Sequence, residues 1–86
     1  MHIEELREYC LSKNGSTEDF PFDDKTLVFK VKGKMFALTS VTTFESVNLK
    51  CDPEKAIELR IDYSGIIPGF NMNKKHWNTV KVNEDV

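Results

Sequence analysis

The stretch from Leu27 to Leu38 constrains the fold more than any other part of the chain. In its first half the odd positions are the apolar Leu27, Phe29 and Val31, and the even positions end in Lys30 and Lys32. Apolar residues at every second position are typical of a strand with one buried face and one exposed face. Gly33 adopts a positive φ without steric cost, so the sequence predicts a β-hairpin that turns there. We expect Gly33 either first in a type II′ turn or at the left-handed position of a bulged turn.

The length of 86 residues allows one domain, which we predict to span residues 1–86. No apolar run approaches the ~20 residues that a membrane helix needs, and the first residues are too polar and acidic for a signal peptide. Cys10 and Cys51 have no cysteine framework around them and are interpreted as free thiols. We therefore expect a cytoplasmic protein without a membrane partner.

The charge of the chain is close to balanced, at −2, but it is unevenly distributed. Residues 1–24 contain seven acids and two basic residues, whereas residues 25–50 contain five lysines and one acid. This asymmetry favours a locally positive surface. The alternative is a solvated strand face whose lysines prevent the pairing of sheet edges.

The first half of the chain predicts a helix, a long loop and the hairpin. Ile3, Leu6 and Cys10 lie at helical spacing, which indicates a helix from Ile3 to about Ser12. The polar segment from Ser16 to Asp24 is predicted to be a loop. Its two phenylalanines, Phe20 and Phe22, are expected to pack against the core.

The second half predicts a strand, a helix and two further strands. Ser46–Cys51 alternates as a strand, and Asp52 followed by Pro53 is a helix start with aspartate as N-cap. Beyond that helix we predict a loop at 66–69 and short strands at 70–73 and 77–82. The resulting order is α-β-β-β-α-β-β. It indicates an α+β fold: an antiparallel sheet of about five strands with two helices on one face.

Residues that could carry catalysis or bind a metal are few. His2, His76, Cys10 and Cys51 form no pair at metal-ligand spacing. The four glycines are isolated and form neither a phosphate loop nor a dinucleotide-binding pattern. The sequence therefore predicts no metal, no cofactor and no enzymatic activity.

The run from Asn71 to Thr79 contains lysines, a histidine, a tryptophan and asparagines. Lysines suit phosphates, amides suit base or sugar edges, and an aromatic ring suits stacking, so this mixture is compatible with nucleic-acid binding. It is equally compatible with a strand connection whose tryptophan fills the core. For Trp77 itself we predict the core.

Several motifs occur in order along the chain: Thr17–Phe22, Lys34–Ala37, Asn48–Pro53, Leu59–Arg60 and Gly69–Asn78. Together they resemble the MmcQ/YjbR family. The resemblance implies an α+β fold described as double-winged or CyaY-like, which is also similar to type III secretion chaperones. It also implies DNA binding, an assignment that rests on analogy between folds.

Members of this family usually continue into closing helices, so we expect the chain to lack the family's C-terminal helix. Four apolar side chains are then predicted to be partly bare: Phe36, Leu38, Val80 and Val82. We therefore predict either a dimer, in which a second copy of the chain buries this surface, or an adhesive and marginally stable monomer.

The function predicted from the sequence is a non-catalytic module that binds nucleic acid, specifically DNA. The predicted contact residues are Lys30, Lys32, Lys34, Lys74, Lys75, His76 and Asn78. The alternative is a protein-interaction or chaperone-like module that binds a protein partner or itself.

Overall fold

The structure is a computed structural model that describes residues 2–70 and 72–82. A single antiparallel sheet has the strand order β1-β2-β3-β4-β6-β5. The elements are α1 (Ile3–Leu11), β1 (Ser16–Asp19), β2 (Thr26–Val31), β3 (Lys34–Ser40), β4 (Ser46–Lys50), α2 (Pro53–Asp62), β5 (Ile66–Pro68) and β6 (Trp77–Lys81). The α+β class is confirmed, with six strands in place of about five.

Strand β1 is the element that the sequence did not indicate. Ser16–Asp19 was expected to be a loop, but it pairs with β2 in a register that sets Glu18 opposite Phe29. Its four polar residues show no apolar alternation. The strand forms because the edge of β2 has unpaired backbone N–H and C=O groups, and β1 pairs with them. This pairing outweighs the low strand propensity of the residues in β1.

Strand β5 also differs from prediction. Ile66–Pro68 forms the strand that was expected four residues later, and it pairs with β6 through Ile67 opposite Thr79. Pro68 ends β5 at the sheet edge, where a missing N–H breaks no ladder. Phe70, Met72 and Asn73 lie outside any strand, and Asn71 lies outside the described residues.

The two faces of the sheet follow from the strand register, because directly paired residues of an antiparallel sheet project to the same side. One side, the helix face, carries Glu18, Leu27, Phe29, Ala37, Val47, Leu49, Ile66 and Asn78. Arg7 of α1 binds Glu18, and Ala56 of α2 binds Asn78. Both helices therefore lie on this face, as predicted.

The opposite side of the sheet, the helix-free face, has no helix packed on it within the described residues. The register places on it Thr17, Asp19, Val28, Lys30, Met35, Leu38, Asn48, Lys50, Ile67, Trp77 and Thr79. Val28, Trp77 and Thr79 are buried, whereas Lys50 is exposed. The two faces thus differ in their covering.

The core lies between α1 and the hairpin. Leu6 and Cys10 of α1 pack with Leu27, Phe29, Ala37 and Val47 of the sheet. A β-bulge adds Phe36 to this cluster: β2 pairs Phe29 with Ala37 and Lys30 with Met35, so Phe36 has no partner. Its ring centre lies 6.4 Å from that of Phe29. The bulge directs the Phe36 side chain toward the core, whereas regular alternation along β3 would place it on the opposite face.

The hairpin turn is a two-residue loop, and its type differs from both predicted types. Lys32 has φ +53° and Gly33 has φ +77°. Positive φ at both central residues is the type I′ geometry, whose twist matches that of the flanking strands. The position of the hairpin is confirmed, but a lysine occupies a left-handed position that the sequence did not reveal.

Phe20 and Phe22 are both exposed, so their predicted burial is wrong. The connection that carries them is held by Asp23, whose Oδ1 accepts hydrogen bonds from the backbone N–H groups of Lys25 (2.9 Å) and Thr26 (2.7 Å). These bonds lower the pKa of the Asp23 carboxyl. A polar turn, and not the packing of its rings, therefore fixes this loop.

The start of α2 agrees with prediction. Asp52 Oδ2 accepts hydrogen bonds from the backbone N–H groups of Glu54 (3.2 Å) and Lys55 (3.4 Å). These bonds satisfy two of the amides that a helix start leaves unpaired. Ala56 is the fully buried residue of α2, whereas Ile57 and Ile61 of the same helix are exposed.

Candidate nucleic-acid interface

The directions of the strands bring distant parts of the chain to one end of the sheet. β2 and β4 run in the same direction because each pairs antiparallel with β3. β6 runs antiparallel to β4, so the segment that precedes Trp77 lies beside the end of β4. We call this the Gly33 end: it contains the Lys32–Gly33 turn, Lys50 and residues 69–70 and 72–76, which we name the segment 69–76 for its described residues.

Basic residues are concentrated at the Gly33 end. Strand order and register place there Lys13, Lys30, Lys32, Lys34, Lys50, Lys74, Lys75 and His76. Acids close to this end lie in the first turn of α2, where Asp52 serves as the N-cap. The opposite end of the sheet has Asp23, Asp24 and Glu45 in its connections and Asp62 at the end of α2, together with Lys25. The protein is therefore electrically polarised along its strands.

The hairpin lysines occupy three different positions. Lys32 and Lys34 are exposed at the turn, and Lys30 is half-buried on the helix-free face. Because Lys34 pairs with Val31, its side chain leaves the sheet on the opposite side from Lys30. The three lysines thus surround the tip of the hairpin instead of lining one face.

The predicted residues of segment 69–76 are held by hydrogen bonds within the loop. The Lys74 Nζ donates to the carbonyl of Gly69 at 3.0 Å, and the Lys75 N–H donates to Asn73 Oδ1 at 3.0 Å. His76 is half-buried, and its carbonyl accepts from the N–H of Cys51 at 2.8 Å. Both lysines are exposed, but the ammonium of Lys74 is already hydrogen-bonded to the loop carbonyl of Gly69.

Asn78 lies apart from the other predicted residues. It pairs with Leu49 on the helix face and is only 2% exposed. Its Oδ1 accepts a hydrogen bond from Arg60 Nε at 2.6 Å, and its Nδ2 donates to the carbonyl of Ala56 at 3.1 Å. These bonds engage its carboxamide between α2 and the sheet, so we leave Asn78 out of the candidate interface.

Arg60 and Gly69 position the segment 69–76, and sequence reasoning assigned neither of them a role. The Nη2 of Arg60 donates to the carbonyl of Lys74, which ties the loop to α2. A β-carbon on Gly69 would lie 2.8 Å from the β-carbon of Trp77, so only glycine fits at this close approach. Trp77 itself is 6% exposed, which confirms its prediction as a core residue. The glycine at position 69 was the sequence signal from which this close approach to Trp77 could have been predicted.

Phe70 is the second feature that sequence reasoning missed. Its backbone N–H donates to Thr79 Oγ1 at 2.9 Å, and the Thr79 hydroxyl in turn bonds Asn48 Oδ1. Thr79 and Asn48 are paired residues of the helix-free face. The side chain of Phe70 is nevertheless 70% exposed. A phenylalanine that is anchored by its backbone and left in solvent lies next to the basic end of the sheet.

The two thiols lie in different environments. Cys10 is buried in the core, and its burial raises the pKa of its thiol. Cys51 is half-buried at the end of β4, where burial raises its pKa and the charges of Arg60 and Lys55 oppose the rise. Both thiols stay protonated at neutral pH, and a protonated thiol is a poor nucleophile.

An apolar depression lies on the helix face between α1 and β4. It has a volume of about 430 Å³ and is lined by Glu5, Leu6, Tyr9 and Leu49. Tyr9 is 64% exposed at its rim. The four side chains that were predicted to be partly bare, Phe36, Leu38, Val80 and Val82, are each half-buried.

Comparison with known proteins decides the family. The family model described as YjbR matches residues 11–86. The chain belongs to the YjbR family. It is 38% identical over 81 residues to the protein YjbR of Escherichia coli (strain K12), covering 93% of this chain and 69% of that protein. It is 41% identical over 68 residues to YbdF of Escherichia coli O157:H7, covering 78% and 56%. Both relatives are described as uncharacterized.

Solved structures of similar proteins share the fold. The crystal structure of Deinococcus radiodurans protein DR2400, with domain DUF419, superposes with a TM-score of 0.86 at 46% identity. The match covers 94% of this chain and 63% of that one, so the chain spans less than two thirds of its length. A Pseudomonas syringae protein superposes with a TM-score of 0.78 at 27% identity, covering 100% and 86%. Within the described residues, neither α1 nor α2 is long and apolar enough to cross a bilayer.

Proposed function

We propose that this YjbR-family chain is a non-catalytic, cytoplasmic module that binds nucleic acid through phosphate contacts at the Gly33 end. One observation carries the proposal: strand order brings lysines from the hairpin, β4 and the segment 69–76 to one end, while acids collect at the other. A cationic surface of this kind attracts a polyanion and releases its counterions.

The proposed contacts are the most exposed lysines. Lys32, Lys34 and Lys75 are exposed at the Gly33 end, as is Lys50, which the sequence prediction did not include. Lys74 contributes less, because its ammonium already binds the Gly69 carbonyl. Lysines in such positions contact phosphates without reading bases, so binding that depends weakly on sequence is expected.

Fluorescence anisotropy with labelled DNA tests this proposal. Between about 50 and 200 mM salt the affinity should fall steeply, and each lysine removed should reduce the slope of log K against log salt by about 0.9 for duplex DNA. The triple variant Lys32→Ala, Lys34→Ala, Lys75→Ala should lose most of the binding. Lys25→Ala, which removes a charge from the opposite end, is the control and should change little.

The proposal has a clear contrary result. Absence of binding to any DNA or RNA at low salt and high protein concentration would overturn it. Equal losses in the triple variant and in Lys25→Ala, scaled by the charge removed, would mean that only net charge matters and that no interface exists at the Gly33 end.

The apolar depression supports a second candidate, a protein-interaction module that binds a second copy of the chain. The exposed Tyr9 ring beside Leu6 and Leu49 offers apolar area that association could bury. Sedimentation at high micromolar concentration should then show a dimer, and Tyr9→Lys should return it to a monomer. A monomer at every concentration would eliminate this candidate.

A further inference from the structure

We propose that the helix-free face binds a single strand of nucleic acid, with Phe70 stacked on a base and with Lys30 and Lys50 on its phosphates. This inference rests on the proposed function and specifies the form of nucleic acid and the face that receives it. Its three elements are the position of the aromatic ring, the spacing of the lysines and the charge of the face.

The backbone of Phe70 is anchored, while its aromatic ring is exposed. The hydrogen bond from the Phe70 N–H to Thr79 Oγ1, 2.9 Å long, attaches its backbone to the helix-free face. Thr79 is 5% exposed and is itself bonded to Asn48, so the anchor is rigid. An exposed aromatic ring on a fixed backbone suits base stacking, since little flexibility is lost on binding.

The lysines lie on the same face as this anchor. Lys30 pairs with Met35, and Lys50 pairs with Trp77, all on the helix-free face. Strand β3 separates the two lysines, so their α-carbons are about 10 Å apart at two strand spacings. Both cations can therefore contact one extended backbone that crosses the strands near the Gly33 end.

Charge complementarity favours a polyanion on this face. Among the described residues that the register places there, the acid is Asp19, on the edge strand β1 and nearer the opposite end. Asn48, half-buried on the same face and paired with Thr79, adds a carboxamide of the kind that contacts base or sugar edges.

The exposed ring distinguishes single strands from duplexes. Stacking on a protein side chain requires an unpaired base, and a duplex offers its base faces only at its ends. Phosphate contacts alone would not discriminate in this way, because both forms carry them. The face should therefore prefer single strands.

The experiment compares a labelled oligothymidine with a duplex of the same length at about 50 mM salt. The single strand should bind at least ~10-fold more tightly. Phe70→Ala should weaken single-strand binding by ~5- to 150-fold, the range that stacking of one base implies, and should leave the salt slope unchanged. Phe22→Ala, an exposed phenylalanine in the β1–β2 connection at the opposite end of the sheet, is the control, and thermal melting checks that both variants fold.

Lys50→Ala should reduce the salt slope by about 0.7, the value for a single strand. In NMR spectra, oligothymidine should shift the methyl signal of Met35 on the helix-free face and not those of Leu6 on the helix face. Both readouts locate the contact without relying on the loss of affinity in Phe70→Ala.

The outcomes separate the two proposals. Equal binding of single strand and duplex, with Phe70→Ala unchanged and the triple lysine variant impaired, would overturn this inference and leave the proposed function standing. Binding of neither form would overturn both. An oligothymidine shift confined to the helix face would also overturn the inference, whatever the affinities.

Discussion

Arg60 Nε donates a hydrogen bond to Asn78 Oδ1 across 2.6 Å, joining a helix to a strand 18 residues later in the chain. The other side of the same carboxamide binds the carbonyl of Ala56. Arg60 also binds the carbonyl of Lys74, so one guanidinium connects α2, β6 and the segment 69–76. A charge-assisted hydrogen bond at a buried partner is among the stronger polar interactions in a protein.

We expect Asn78→Leu to reduce the free energy of unfolding by about 2–3 kcal/mol, because Arg60 Nε loses its acceptor and the Ala56 carbonyl loses its donor. Urea denaturation measures this change. The double variant Arg60→Met, Asn78→Leu should be less destabilised than the sum of the two single variants, since the hydrogen bond between the two side chains is then lost only once. Strict additivity would show that the two side chains do not depend on each other.

At the Lys32–Gly33 turn, we expect substitutions at the two adjacent positions to change stability in opposite directions. Gly33→Val should destabilise the protein by at least ~1 kcal/mol, because a β-branched residue resists φ +77°. Lys32→Asn should stabilise it by a few tenths of a kcal/mol, since asparagine accepts the left-handed conformation that lysine is forced to adopt at φ +53°. Thermal melting checks both. Unchanged stability in Gly33→Val would contradict the turn type.

The N-cap of α2 gives a third prediction. Asp52→Ala should cost about 1 kcal/mol, because two backbone N–H groups lose their acceptor. Asp62→Ala, which removes the same charge from the last residue of the helix, is the matched control. It should be neutral or slightly stabilising, since an acid is unfavourable near a helix C-terminus. Equal losses in the two variants would indicate a general effect of charge and not a cap.

The parts of the fold that could be predicted from the sequence are those whose cause is local. The hairpin follows from alternation and a glycine, and the start of α2 follows from an aspartate before a proline. Strand β1 could not be predicted, because its polar residues form a strand only beside β2. The exposure of Phe20 and Phe22 likewise depends on a core that other side chains already fill.

The candidate site also contains some features that the sequence could predict and others that depend on tertiary structure. Composition identified the lysines, but their convergence depends on strand order, which no local pattern reveals. Asn78 has an amide suited to nucleic-acid contacts, but it lies on the helix face, because its pairing with Leu49 turns it toward α2. Phe70 was assigned to a strand, whereas the structure anchors its backbone N–H on Thr79 and leaves its side chain exposed.

The ion pair between α1 and β1 predicts how stability depends on pH. Arg7 Nε and Nη2 donate to Glu18 Oε1 (2.9 Å) and Oε2 (2.7 Å). These hydrogen bonds hold the pKa of the Glu18 carboxyl below its usual range. Because the folded pKa is lower than the unfolded value, the pair stabilises the fold above the unfolded pKa and loses this effect as pH falls through the folded pKa.

Glu18→Gln should therefore lower the melting temperature at pH 7, and its difference from the parent chain should shrink once the pH falls below about 4.3, the usual pKa of glutamate. Glu58→Gln, an exposed glutamate of α2, removes the same charge and serves as the control; it should melt close to the parent throughout. If the gap for Glu18→Gln were as wide at pH 3 as at pH 7, packing and not the ion pair would connect α1 to β1. A gap that closes on acidification instead shows that Arg7 holds the otherwise unpatterned strand β1 against the first helix.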